Sequence, residues 1–320
     1  MAVPRELPSY QQLPVRPGAP SGSTWGLFGP DDEVGTINLL TPERVVEAAR
    51  LVRKGAVFSL NLPLNVPSPP LYGRGGIQHR LVDLGGIARD DYLESFWLQA
   101  SSQWDGLRHI RHPRDGFYNG VRDEEIVAGG GKLGIEHWAR RGIVGRGVLL
   151  DVALYLEGQG RPLNPQSSDL ITPDDLDACA RHQGVSLRMG DILLIRTGWL
   201  AWYLRASQEE REALAHGQGE GLKSPGLGPA EDMARYLWDN HVAAVAADNP
   251  ALEAWPPTPE RGFLHFRLIP LLGMPIGELW FLEDLAQDCA QDGVYEFLLV
   301  SAPLYVIGGV GSPPNALAIK

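Results

Sequence analysis

Asp191-Ile-Leu-Leu-Ile-Arg-Thr-Gly198 is the stretch whose reading decides the fold. Four consecutive aliphatic residues lie between an acid and a Thr-Gly breaker. A short apolar run closed in this way reads as a strand buried on both faces. The segment in front of it reads as a helix. Thr172-Pro-Asp-Asp supplies a capping residue, Pro at the first helical position and acid in the first turn, and Gln183-Gly184 supplies the stop. Gly147-Val-Leu-Leu-Asp-Val-Ala153 is a second buried strand, and Val242-Ala-Ala-Val-Ala-Ala-Asp-Asn249 is another, ending in acid. Between them, residues 207–228 are polar and Gly-rich and read as an excursion or mobile loop. Residues 229–240 read as a helix.

Towards the N-terminus, Thr41-Pro42-Glu43 opens a helix expected to run to about Lys54, with Gly55 as its stop. Val57-Phe-Ser-Leu-Asn-Leu-Pro63 alternates like a strand, and a Pro/Gly-rich loop follows to Gly76. A strand over 92–100 leads onward, residues 265–272 are mixed apolar, and 301–311 closes the chain as a strand and a glycine turn. The first 22 residues, rich in Pro, Gly and Ser, read as an irregular arm. No repeat is visible, and strands alternate with only three or four helices. This implies an α/β fold, with a single domain over 23–320 that has a mixed, strand-rich β core and a few flanking helices. A regular doubly wound sheet would need more helices. No GxGxxG follows a strand and opens a helix, so a dinucleotide site has no support.

The chain has 320 residues, 44% hydrophobic and 21% charged, enough for a substantial core. Its formal net charge of -11 argues against nucleic acid or an anionic membrane as the main partner. Two distant cysteines, Cys179 and Cys289, make neither a disulfide framework nor a thiolate metal site. No leader-like apolar region and no 18-residue apolar run occurs, so a cytoplasmic enzyme is expected.

The chemistry concentrates in Gln99-Ala-Ser-Ser-Gln103-Trp-Asp105-Gly-Leu-Arg-His109. On an extended backbone alternate residues share a face, so Gln103 and Asp105 point the same way. That arrangement offers oxygen ligands to a hard cation, or a carboxylate and a base to a substrate. His109 can ligate or move protons near neutral pH. Late in the chain, His265 and Glu278 could complete a mixed oxygen and nitrogen shell suited to Mn²⁺, Zn²⁺ or Mg²⁺. The same cluster could equally be a polar turn satisfying its own backbone. His112, His137, His182, His216 and His241 read as structural.

These residues resemble the cyclase family of metal-dependent hydrolases, which includes bacterial kynurenine formamidase and isatin hydrolase. That family carries a His-x-Gly-Thr-His-x-Asp-x-x-x-His motif. Its first His falls on Gln99, its second on Gln103, its Asp on Asp105 and its last His on His109, while later His and Glu fall on His265 and Glu278. Trp25-Gly to Leu40-Thr-Pro-Glu, Trp104-Asp-Gly with Tyr118-Asn-Gly, Gly190 to Trp199, Ala247-Asp-Asn-Pro and Pro275-Ile-Gly-Glu-Leu are also similar. The resemblance runs from about residue 24 to the C-terminus.

The resemblance implies a swivelling β/α/β fold and a hydrolase that opens a cyclic amide, lactone or aryl formamide with metal-activated water. His109 would be the general acid and base. Gln103, Asp105, His265 and Glu278 would hold the metal, and Gln99, Trp25, Trp104 and Tyr118 would contact the substrate. Both early imidazoles of the motif are amides here, which weakens the case for a two-zinc centre and favours one divalent ion, Mn²⁺ or Zn²⁺. Two other readings stay open: a cyclase or dehydratase working without net hydrolysis, and an inactive small-molecule binding protein. The resemblance also implies a homodimer or homotetramer, for which the Trp-rich N-terminal segment is the candidate interface.

Overall fold

The computed structural model describes residues 6–217 and 221–320; residues 1–5 of the expected arm and 218–220 of the expected excursion lie outside them. Nine strands form one sheet. In chain order they are β1 (Val57–Ser59), β2 (Gln103–Asp105), β3 (Ile143–Leu150), β4 (Ile192–Ile195), β5 (Ala244–Ala247), β6 (Ile276–Glu278), β7 (Glu296–Ser301), β8 (Gly311–Ser312) and β9 (Ala316–Ile319). Their spatial order is β1-β9-β7-β3-β4-β5-β6-β2-β8. β3, β4, β5 and β6 are mutually parallel, and every other pair is antiparallel. The sheet is therefore mixed, as the strand-rich reading required.

The parallel block is the apolar part. All of β4 and β5 is buried, which explains their unbroken aliphatic and alanine sequences. β7 alternates partly buried with buried residues, turning Phe297 and Leu299 inward. Its alternation with Glu296 and Ser301 hid it from the sequence reading, which began the last strand only at 301. The helix Pro173–His182 starts as expected, with the Thr172 hydroxyl and the Asp175 carboxylate capping each other's backbone. It packs against the helix Val152–Gly158. The strand expected over 147–153 stops at Leu150, and its last two residues, Val152 and Ala153, open that helix. Its onset is set by Asp151, whose carboxylate accepts from Leu154 N at 3.1 Å.

The helix begun by Thr41 and Pro42 ends at Ala49, not near Lys54. Residues beyond it are drawn to the sheet edge, where Lys54 N donates to Lys320 O at 3.2 Å. The helices Gln208–Ala215 and Glu283–Asp292 were also unforeseen; the first lies inside the expected excursion.

Two family-like stretches meet just beyond the parallel strands. Asp248, directly after β5, accepts from Thr197 N and Oγ1 at 2.7 Å each and from Gly198 N at 2.8 Å, and it is fully buried. Its carboxylate ties the ends of β4 and β5 together. Asp248→Ala would leave three donors without an acceptor, two of them buried, and about 3 kcal/mol of stability should go, read by denaturant unfolding. An unchanged midpoint would show that water replaces the carboxylate.

The N-terminal arm from residue 6 wraps the helix Glu231–Asp239: Trp238 Nε1 donates to Pro8 O at 2.9 Å and Tyr10 N to Asp239 at 2.7 Å. Trp25 and Phe28 are only 7% exposed, so they do not form the uncovered aromatic surface expected at the N-terminus. The uncovered surface is a hairpin, Gln78–Leu84 with Ala88–Glu94, in which every strand residue is exposed. No helix among the described residues is long and apolar enough to cross a membrane.

Candidate metal centre

β2 and β6 lie antiparallel, with Gln103 opposite Glu278 and Asp105 opposite Ile276. Glu278 is the last residue of its parallel strand, the end at which α/β sheets place their ligands. The two-residue periodicity of β2 turns Gln103 and Asp105 to one face and Trp104 to the other. A four-residue helix, His265–Leu268, brings the imidazole between the carboxylates. His265 Nε2 lies 3.2 Å from Glu278 Oε1 and 3.8 Å from Asp105 Oδ2. Asp105, His265 and Glu278 offer one ligand atom each, all within 4.8 Å of one another, and all three are buried.

The donor set fits a divalent cation. Both Asp105 oxygens are buried and have no hydrogen-bond donor, and the same holds for Gln103 Oε1. Unpartnered buried carboxylate oxygens are costly unless something positive meets them. Gln103 gives its Nε2 to Glu278 Oε2, so its amide fixes that carboxylate as well as offering an oxygen. One imidazole with two carboxylates and an amide oxygen is a hard, oxygen-rich shell.

Glu253, which the sequence reading did not single out, holds the imidazole. Its Oε1 lies 2.7 Å from His265 Nδ1, and its Oε2 accepts from Leu264 N. This aims Nε2 at the carboxylates and sets the tautomer in which Nε2 can ligate. Phe263 stacks parallel on the same imidazole at 4.6 Å. Nothing in the spacing to His265 marks Glu253; only a carboxylate beside a ligating His, met in three dimensions, reveals it.

The electrostatics follow from burial and crowding. Burial favours the neutral form of Asp105, but His109, then His265 and Arg74, outweigh it and hold the carboxyl below its usual range. Glu278 is pushed up to about 7 by burial and by the Asp105 charge, against the pull of His265. Burial lowers the basicity of His265, yet the Glu253 charge, the nearby Asp105 carboxylate and the hydrogen bonds to Glu253 and Glu278 raise it well above 6.5. His109 Nε2 is 3.7 Å from Asp105 Oδ1, and its side chain is 23% exposed. Burial takes His109 below 6.5 despite Asp105, with His265 and Arg74 pushing the same way. Near pH 7 it is thus a neutral base at the edge of the cluster.

The expected site residues divide in two. Gln103, Asp105, His109, His265 and Glu278 come together. Trp25, Trp104 and Tyr118 do not join them. Trp104 is fully buried, gives its Nε1 to Ser301 Oγ at 2.9 Å and packs edge-on against Trp280. Trp25 gives its Nε1 to Pro270 O at 2.7 Å. Tyr118 donates to Asp32 at 3.0 Å, beside Asn119, whose amide bonds Gly29 O and Pro30 O. These two aromatic stretches brace the loop 25–38. Gln99 sits four residues before Gln103; its carbonyl accepts from Arg74, and its side chain lies over Gly311, where a Cβ would meet Nε2 at 2.8 Å.

Residues 48–254 match the family model described as "Putative cyclase". The chain belongs to the cyclase family. A solved structure described as a novel cyclase is 37% identical, with a TM-score of 0.81, over 93% of this chain and 99% of that one. Two more distant cyclase-fold structures share the architecture. Isatin hydrolase A from Labrenzia aggregata is 16% identical, with a TM-score of 0.58, over 86% of this chain and 97% of that one. A predicted metal-dependent hydrolase from Bacillus stearothermophilus is 17% identical, with a TM-score of 0.51, over 83% of this chain and 98% of that one. A comparison with curated proteins found no match.

Proposed function

We propose that this cyclase-family protein is a metal-dependent hydrolase that opens an acyl C–N bond, or a lactone C–O bond, using one divalent ion. The observation that carries the reading is the buried Asp105–His265–Glu278 cluster, with its unpartnered carboxylate oxygens. Asp105, His265 and Glu278 would hold the ion, with Gln103 Oε1 in reach as a fourth, neutral donor. A bound divalent ion supplies Lewis acidity for a scissile carbonyl and makes water more acidic. His109, neutral and partly exposed, takes the proton from the attacking water and returns it to the leaving nitrogen or oxygen. Asp105 keeps that imidazole in place from one side. The hydrolases among the structural neighbours support this reaction class, and no added donor among the described residues favours the cyclase or dehydratase reading.

Adding Mn²⁺ or Zn²⁺ to chelator-treated protein tests the metal. Stoichiometric uptake is expected, together with hydrolysis of members of a panel of aryl formamides, cyclic amides and lactones. A protein that takes up neither ion refutes the reading. The pH dependence has a definite sign. Ligation needs Glu278 ionised and His265 Nε2 free of its proton, and both pKa values are raised. Affinity should therefore weaken as pH falls through about 7, by at least about tenfold between pH 8 and pH 6. Direct titration of free Mn²⁺ at the two pH values measures it, and a flat profile would remove Glu278 from the shell.

We also propose that the protein is a homo-oligomer, with the exposed hairpin as the contact. Three polar pairs cross its strands, His79 with Asp91, Arg80 with Glu94 and Arg89 with Asp83. Beside these pairs stand bare apolar side chains: Leu81 on the first strand is 70% exposed and Ile87 in the turn 93%. A two-stranded hairpin with no covered face is marginal in water, so a second copy is its natural cover. Gel filtration should give a mass above 34.9 kDa, and elution as a 34.9 kDa species would refute the contact.

A further inference from the structure

The loop before the hairpin carries a feature that the metal reading leaves unused. Tyr72 adopts φ 60°, an uncommon backbone conformation for a bulky residue, and such strain persists where the surroundings over-determine it. Its hydroxyl donates to Pro250 O at 3.1 Å, and its ring meets Trp255 edge-on at 5.2 Å. Trp255 follows Glu253, the residue that holds His265, by two positions, so the ring pair stands on the loop that supports the candidate metal centre. Tyr72 is 39% exposed and Trp255 half-buried. Two partly open aromatic rings at a right angle form a corner that accepts a flat group.

Arg74 completes the corner. Its guanidinium lies 5.2 Å over the Tyr72 ring. Its hydrogen bond to Gln99, whose side chain lies over Gly311, opposite Asp105 in the sheet, places it beside the cluster. Yet its side-chain hydrogen bond among the described residues goes to a neutral group, the Gln99 carbonyl, and no carboxylate pairs with it. A planar cation with unused donors, beside a site that would release acids, is suited to a carboxylate.

We propose that Arg74, with the Tyr72–Trp255 corner, selects aryl acyl substrates and binds the carboxylate that hydrolysis leaves. The inference rests on the hydrolase reading and names its substrate class: a flat aromatic acyl compound whose product is an aryl carboxylate. Arg74 acts as a specificity-determining residue. The aromatic corner takes the ring whatever its charge, and the guanidinium discriminates the charged product from a neutral analogue.

Equilibrium binding of benzoate and benzamide, alike in shape and different in charge, tests it by calorimetry on the protein as isolated. Benzoate should bind the wild type about tenfold or more tighter. Arg74→Gln should shrink that preference about tenfold, whereas Arg74→Lys keeps part of it. Trp255→Ala should weaken both probes alike and leave their ratio unchanged. Elemental analysis of each variant accompanies the titrations, so that affinities are compared at equal metal content. Equal binding of the two probes to the wild type overturns the proposal, with no variant required. So does an unchanged ratio in Arg74→Gln. Because no turnover is involved, the two readings fail separately: a hydrolase indifferent to benzoate loses only the Arg74 assignment, and a benzoate-selective protein that takes up no metal loses only the hydrolase reading.

Discussion

His109→Ala should lower kcat on a confirmed substrate by about 10²–10⁴-fold while leaving metal content unchanged. The split between the two readouts follows from geometry. His109 stands outside the Asp105–His265–Glu278 set, 3.7 Å from one Asp105 oxygen, and keeps 23% of its side chain exposed. Removing it takes away a proton acceptor but no ligand. Its lowered pKa adds a second expectation. As pH falls through the titration of His109, below 6.5, kcat should drop in the wild type, and that limb should vanish in the variant. Steady-state kinetics over pH 5–8 with parallel elemental analysis provide the measurement. Full turnover in His109→Ala would end its role as acid and base, and loss of the metal would make it a ligand.

Glu253→Gln should weaken the divalent ion about 10–100-fold, although Glu253 touches the ion's place only through another residue. The carboxylate is fully buried and gives one oxygen to His265 Nδ1 and the other to the backbone at Leu264. An amide of the same shape keeps one acceptor and turns a donor towards one of two N–H groups. Either the imidazole loses its orienting partner or the turn before it loses its cap. The ionic support for a cationic or metal-bound imidazole goes as well. Competition against a chelator of known affinity gives the number. Unchanged affinity would mean that the stacking of Phe263 alone orients His265.

The core of the fold was legible because β4 and β5 are buried on both faces and read as unbroken apolar runs. The helices Val152–Gly158 and Glu283–Asp292 were not, since one follows a strand without a loop and the other is rich in acid and amide side chains. Within the site, the alternation of Gln103 and Asp105 was legible from β2 alone. The same alternation sends Trp104 to the opposite face, so its place in the core could have been inferred from the rule that aligned its neighbours. Tyr118 and Trp25 carry family-like sequence for a different reason: they hold the loop 25–38 in shape through hydrogen bonds no linear spacing reveals. Glu253, Tyr72 and Arg74 come from loops, where distance along the chain says little about distance in space.

The pairing of β2 with β6 has a kinetic meaning. Gln103 and Glu278 lie 175 positions apart and become neighbours only when most of the sheet is assembled. His265 and Glu278 are only 13 positions apart, but until β2 docks an ion meets neither Asp105 nor Gln103, and so finds too few donors to seed collapse. Cation in the medium should leave the rate of refolding nearly unchanged and slow unfolding, because it engages contacts made after the rate-limiting step. For the cell, that would make a bound cation a late brake on unfolding, added to a protein that has already found its shape.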